Sequence, residues 1–184
     1  MRDKKHENLQ IPLMYAFREA NRKGDARTRI DQRVEGERVL SERGALRRRG
    51  VGEAALKKDL AIDLMALVNT IDLDSAEDMD GLDFARKSVL NFGLPDVAHI
   101  TSDELAVRDI GDNLKAALLH FEPRLYADAL VVERDEVFDE VNQRIRFVVS
   151  GEMACTPFDV PIDFVAEVEV SSGKVQLMRL PVTT

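Results

Sequence analysis

Few side chains in this sequence stand where types and spacing could support chemistry, and the most pointed group is Glu122-Pro123-Arg124-Leu125. A carboxylate and a guanidinium two residues apart, with a proline between them, project to the same side of an extended corner. A glycosidase-type hydrolysis needs two carboxylates about 5–9.5 Å apart across a cleft, one of them kept protonated. Glu122 could supply one, but a neighbouring Arg124 favours the ionised form, the wrong state for a general acid. A chain with no Trp also lacks the usual platform for a sugar ring. Metal chemistry has little to work with. His6, His99 and His120 are isolated, no Cys/His pair has ligand spacing, and the acids of 72–83 lack the glycine and terminal Glu of a calcium loop. His120, near a helix end, suits capping of carbonyls. Cys155, the single cysteine, reads as a small core group in a strand. No phosphate-cradling glycine loop and no nucleophile motif occurs. The expectation is a non-enzymatic protein with no cofactor, no metal and no small-molecule substrate.

Arg47-Arg48-Arg49 carries the other suggestive charge. Residues 1–60 sum to +6 and residues 61–184 to -14, within a net charge of -8. A basic arm could track phosphates, so nucleic-acid binding is the alternative reading. Acids mixed into the arm, a strongly negative body and the lack of an aromatic or zinc reader weigh against it. No run approaches the ~20 apolar residues of a membrane span, and Ile11–Phe17 leads straight into Arg18 and Glu19 rather than continuing as a secretory signal. A lone thiol fits a reducing compartment. A cytoplasmic protein without membrane insertion is expected.

The elements that position these residues follow from periodicity. Residues 18–50 hold ten Arg, one Lys, six acids and four Gly. Such a segment buries too little surface to offset its ordering entropy, so residues 1–50 are expected to form a basic, partly disordered or helical arm. Within it Ile11, Leu13, Met14 and Phe17 make an apolar cluster. Residues 51–184 are expected to form the folded domain. Leu56, Leu60, Leu64 and Leu67 recur at helical spacing, widened by Ala61, Met65 and Val68, with Asp59 and Asp63 opposite. This helix should end near Asn69-Thr70, ahead of an acidic solvated loop at 72–83 and an ordered connection at 88–96. Thr101 and Glu104 make a capping box for a second helix, with Ala106, Ile110, Leu114, Ala117, Leu118 and Phe121 inward and Gly111 a weak point. Pro123 ends it. The period then switches to two: a short strand at 128–133, a second through Ile145, Phe147 and Val149, and a third with Phe158, Val160, Ile162, Phe164, Ala166, Val168 and Val170 on one face. Asp159, Pro161, Asp163, Glu167 and Glu169 occupy its other face, and a last strand holds Val175 and Leu177, extending toward Leu180. Two main helices followed by an antiparallel sheet of about four strands, with a basic N-terminal arm, make an α+β fold.

The corner itself admits two readings. Glu122 lies at the negative end of a helix dipole, disfavoured by ~0.3–1 kcal/mol, and a broken local rule beside a rigid corner points to function. Alternatively, Glu122 and Arg124 pair with neighbours inside the domain.

Leu90-Asn91-Phe92-Gly93-Leu94-Pro95-Asp96, then a helix ending in Phe121-Glu122-Pro123-Arg124-Leu125, then a β-rich tail, resembles the TssE family of type VI secretion baseplate subunits. That family shares its domain with the baseplate wedge protein of contractile-tailed phages. The stretch from Lys58 to Thr70 is similar to the family's first helix, which closes Leu-Leu-Asn-Thr-Arg; here Val68 replaces the second Leu and Ile71 the Arg. The similarity covers roughly 53–180. It implies a structural role: a sheet offered to the first ring of a contractile sheath, and a Glu-Pro-Arg turn attached to a wedge core of TssF and TssG type. The expected partners are therefore wedge proteins and sheath subunits, gathered on the cytoplasmic side of the inner membrane. Glu122, Pro123, Arg124 and Leu125 are the expected contacts, with Leu13 and Phe17 as an anchor from the arm. On this view charge reversal at Arg124 weakens wedge association far more than it lowers melting temperature. An unpaired edge of the 128–180 sheet recruits sheath strands by β-addition.

Overall fold

A computed structural model describes residues 8–24, 32–34, 37–39, 49–97, 104–135, 144–169 and 171–178. The expected capping box at Thr101, and His6, His99, Arg47, Arg48, Val170 and Leu180, lie outside them. Two compact units divide the chain: residues 1–59 with 155–160, and residues 60–154 with 161–184. The boundary between these units falls between Asp59 and Leu60, inside a helix.

In the first unit, helix α1 (Leu13–Lys23) ends at Gly24, whose φ of 65° lets its N–H reach the carbonyls of Ala20 and Asn21. Strands β1 (Gln32–Val34) and β2 (Glu37–Val39) pair antiparallel. Leu9 and Val51 exchange backbone hydrogen bonds of 2.8 and 3.0 Å, and Gln10 N–H donates to Thr156 O at 2.9 Å. Leu9, Ile11 and Ala16 are the buried apolar anchors, whereas Leu13, Met14 and Phe17 are 59%, 57% and 47% exposed. The expected four-residue cluster is therefore split. Ala16 takes the inward face of α1, so residues 13, 14 and 17 are turned outward.

Helix α2 (Glu53–Val68) buries Leu56, Leu60, Leu64, Leu67 and Val68. Its stripe is narrower than its composition suggests, because Ala61 and Met65 face solvent. Asp59, expected on the wet side, is 4% exposed and accepts from Arg18 Nη1 at 2.8 Å within the first unit. The acid tolerates burial because it is paired.

The second unit continues from Leu60. Short 3-10 turns at Leu73–Ser75 and Val89–Asn91 flank the one-turn helix α3 (Asp83–Arg86), and the long helix α4 (Glu104–Phe121) follows. The sheet is antiparallel in the order β3 (Val131–Arg134), β4 (Arg144–Met153), β5 (Val160–Glu169) and β6 (Lys174–Met178). Ile145, Phe147 and Val149 of β4 and Ile162, Phe164, Ala166 and Val168 of β5 form its buried face, as the alternation requires. Val107, Ile110, Leu114 and Leu118 of α4 are buried. Gly111 lies where the Phe147 ring arrives: a Cβ there would sit 2.9 Å from Cε1. The ~1 kcal/mol helix-propensity loss at glycine thus makes room for an aromatic ring.

The far face of β5 departs from expectation. Glu167 is 4% exposed, held by Arg144 Nη1 and Arg146 Nε at 2.7 Å each. Neighbouring arginines on β4 cover a carboxylate that strict alternation assigns to water. Phe158 precedes the strand and is exposed, and Cys155 occupies the half-exposed loop after β4 instead of a strand core.

Candidate functional site

The site is the corner where α4 gives way to the sheet. Glu122 N–H makes the last helical bond to Leu118 O at 3.0 Å, and Leu125 N–H turns back to Glu122 O at 3.1 Å. Pro123 has no N–H to donate, so nothing is lost where the helix stops. The chain then runs antiparallel to the end of β4: Ala154 N–H donates to Arg124 O at 2.7 Å and Tyr126 N–H to Glu152 O at 3.1 Å, around a Leu125–Met153 bridge. Main chain fixes both sides of Arg124 before any side chain acts.

The side chains then close on one another. Arg124 Nε donates to Glu122 Oε1 at 2.6 Å, and Nη2 donates to Glu122 Oε2 and to Asp63 Oδ2, each at 2.6 Å. Glu122 is 5% exposed, and the side chains of Arg124 and Asp63 are 17% and 27% exposed. Burial by itself would lower the guanidinium's pKa, but hydrogen bonds and charge from Glu122, then Asp63, raise it above its usual value. Arg124 is a fixed cation. It also offsets the unfavourable meeting of Glu122 with the negative end of α4.

The intramolecular reading of the corner is therefore the one observed. Glu122 and Arg124 do share a side, but they spend that geometry on each other and on Asp63, and Leu125 is buried at 7% exposure. Pro123 is exposed, as are Leu13 and Phe17 in the first unit. Sequence pattern carries little sign of Asp63's part. Its one hint was negative: two acids four residues apart, Asp59 and Asp63, along the side of an otherwise apolar helix. Chemically the arrangement is a clamp, with both Glu122 oxygens already accepting charged N–H donors.

Two other segments join this corner. Leu94 N–H donates to Thr70 O at 2.8 Å and Leu94 O accepts Asp72 N–H at 2.9 Å, tying the end of α2 to the 91–96 connection. Gly93 makes that approach possible. Its φ is 143°, and a Cβ would stand 2.4 Å from Thr70 O. Phe92 meets Phe121 edge to face at 5.2 Å, which links the connection to the end of α4. His120 contacts a carbonyl, as expected, but that of Lys87 at 2.9 Å rather than one of its own helix end.

The sheet has two outer strands. Asp135 N–H bonds to Arg146 O at 2.8 Å, so alternation turns Val132 and Arg134 of β3 away from β4. At the other edge, Val175 N–H approaches Asn69 Oδ1 at 3.4 Å, so Val175 and Leu177 face away from β5 while Gln176 and Met178 face it.

A family model described as baseplate wedge protein gp25 matches residues 54–157, from the start of α2 through the corner and β4 to the following loop. No curated protein and no solved structure matches.

Proposed function

The chain belongs to the baseplate wedge protein gp25 family, a family of structural baseplate components, and from that premise we propose that it is the TssE-type subunit of a type VI secretion baseplate. In this role it links a wedge core of TssF and TssG type to the contractile sheath and templates sheath polymerisation, in the cytoplasm against the inner membrane. It acts by assembly and not by catalysis. The wedge contact is a preformed corner: Glu122, Arg124 and Asp63 hold the backbone rigid, and the exposed Pro123 with the accessible rim of Arg124 meets the partner. Leu13 and Phe17, outward on α1, are the anchor from the arm.

The observation that carries the templating role is the β6 edge, where the main-chain groups of Leu177 point away from the strand's partner β5. Unsatisfied edge groups bind an added strand through main-chain bonds. Leu177→Pro removes one outward N–H and no N–H directed at β5. It is expected to abolish sheath assembly, read as fluorescent sheath foci in cells, while the purified chain unfolds within a few degrees of wild type. Leu177→Thr, which keeps the N–H, should assemble sheaths. Normal sheaths in the proline variant would refute templating at this edge.

A further inference from the structure

Between the two long helices, residues 82–90 display four large apolar side chains to solvent: Leu82 at 53%, Phe84 at 95%, Val89 at 81% and Leu90 at 69% exposure. Single exposed apolar groups are ordinary, but several on adjoining turns mark an interaction surface. These turns are firmly held from below. Asn91, 8% exposed, accepts Asp74 N–H at 2.8 Å and donates to Arg86 O at 3.2 Å. Ser88 Oγ donates to Ala85 O at 2.8 Å and accepts Leu90 N–H at 3.2 Å. Met79, just before these turns, is buried, and its carbonyl accepts Leu82 N–H at 3.1 Å. These hydrogen bonds hold the turns while Phe84 and Leu90 stay mostly in solvent. A surface already rigid loses little entropy when it is covered.

The charge around this ledge defines its occupant. Residues 72–83 carry six acids, and Glu77, Asp78, Asp80 and Asp83 are exposed. Within residues 72–90 the only Lys or Arg are Arg86 and Lys87, and Arg86 is engaged by Asp74 at 3.2 Å and Asp80 at 3.7 Å. A field of this sign repels nucleic acid and anionic lipid and attracts lysine and arginine. We propose that the Leu82–Leu90 ledge is a docking surface for a cationic segment of another protein, one carrying at least two large apolar side chains flanked by Lys or Arg. The ledge uses neither the sheet edges nor the Glu122–Arg124 corner, so it stands whether or not those contacts are made.

The test is photo-crosslinking of the full chain in its own cells, with benzoylphenylalanine in place of Phe84 and, as control, in place of the exposed Asp112 on α4. The expected adduct is about tenfold above control, as suits an aromatic hot spot, and its sequenced partner peptide holds two or more Lys or Arg beside the crosslinked residue. Asp80→Lys with Asp83→Lys should cut the yield about fivefold or more, as should Leu90→Ser, with melting temperatures unchanged at these exposed positions. No adduct above control, a lipid adduct, a partner peptide without cations, or a yield indifferent to the charge reversal would each overturn the proposal. A failure of Leu177→Pro to block sheath assembly leaves this result untouched.

Discussion

Removing the Arg124 guanidinium tests the closed corner most directly. Arg124→Ala deletes three hydrogen bonds to carboxylate oxygens and leaves Glu122, 5% exposed, as a buried charge beside a second acid. Breaking a buried pair from one side costs about 3–5 kcal/mol. The partial exposure of Arg124 and Asp63 lets water screen what remains, which favours the lower end, ~3 kcal/mol. For a chain of this size that is roughly 6–12 °C in melting temperature. The assay is urea unfolding of wild type, Arg124→Ala, Glu122→Gln and the double variant. Neutralising Glu122 removes the stranded charge, so Arg124→Ala in the Glu122→Gln background should cost about 1–2 kcal/mol less than alone, a positive coupling. This departs from the expectation drawn from sequence, that charge reversal at Arg124 weakens wedge association far more than it lowers melting temperature. A loss below about 1 kcal/mol together with a tenfold drop in wedge binding would refute the clamp and restore the free-charge reading.

Gly93→Ala places a Cβ 2.4 Å from Thr70 O at a φ of 143°; a loss of about 3 kcal/mol or more is expected in chemical denaturation, and a neutral result would show that the α2–connection junction is not tight. Arg18→Ala removes the 2.8 Å ion pair to Asp59, which is 4% exposed; unfolding should show a loss of ~2–3 kcal/mol, and less when Asp59→Leu is added. Tyr15 ionises above its ordinary value of 10.0, first because of burial and then because of Glu19 and Asp59. In a Tyr126→Phe background, absorbance at 295 nm should therefore titrate above 10.0, and Glu19→Gln should draw the midpoint downward. The folded phenol holds its proton longer than the unfolded one, so the associated stability is complete below the unfolded value of 10.0 and is lost as pH climbs from there through the folded value; a midpoint at or below 10.0 would contradict the packing of α1.

The Leu56–Leu67 stripe and the alternation of β5 were legible because periodicity depends on residue type alone. The acids were not. Pattern assigns Asp59, Asp63 and Glu167 to water, yet each is held by arginine from far along the chain: 41 residues away for Arg18, 61 for Arg124, and 23 and 21 for Arg144 and Arg146. No window of sequence contains both members of such a pair. The corner was half legible for the same reason. Pro123 and the spacing of Glu122 and Arg124 are local, so their shared side could be read, but the third member lies on α2. Gly111 and Gly93 were opaque in a different way, since each is small for the sake of a group, Phe147 or the Thr70 carbonyl, that only the folded chain brings near.

A corner whose charges are satisfied internally suits a building block better than one that displays them. Free Glu122 and Arg124 side chains would lose rotamer freedom and hydration on meeting a partner, a cost set against every contact they made. Closed on each other, they have already undergone both changes during folding. A partner docking at this corner, as proposed, would meet Pro123 and a backbone fixed by Ala154 and Glu152, a shape instead of two mobile charges. Salt separates the two designs. A buried clamp is little screened, whereas an exposed acidic ledge is screened within a Debye length of about 8 Å at physiological ionic strength. Raising salt should therefore release a cationic segment from Leu82–Leu90 while contacts at the Pro123 corner persist, and simultaneous loss of both would mean that the corner recognises its partner through charge after all.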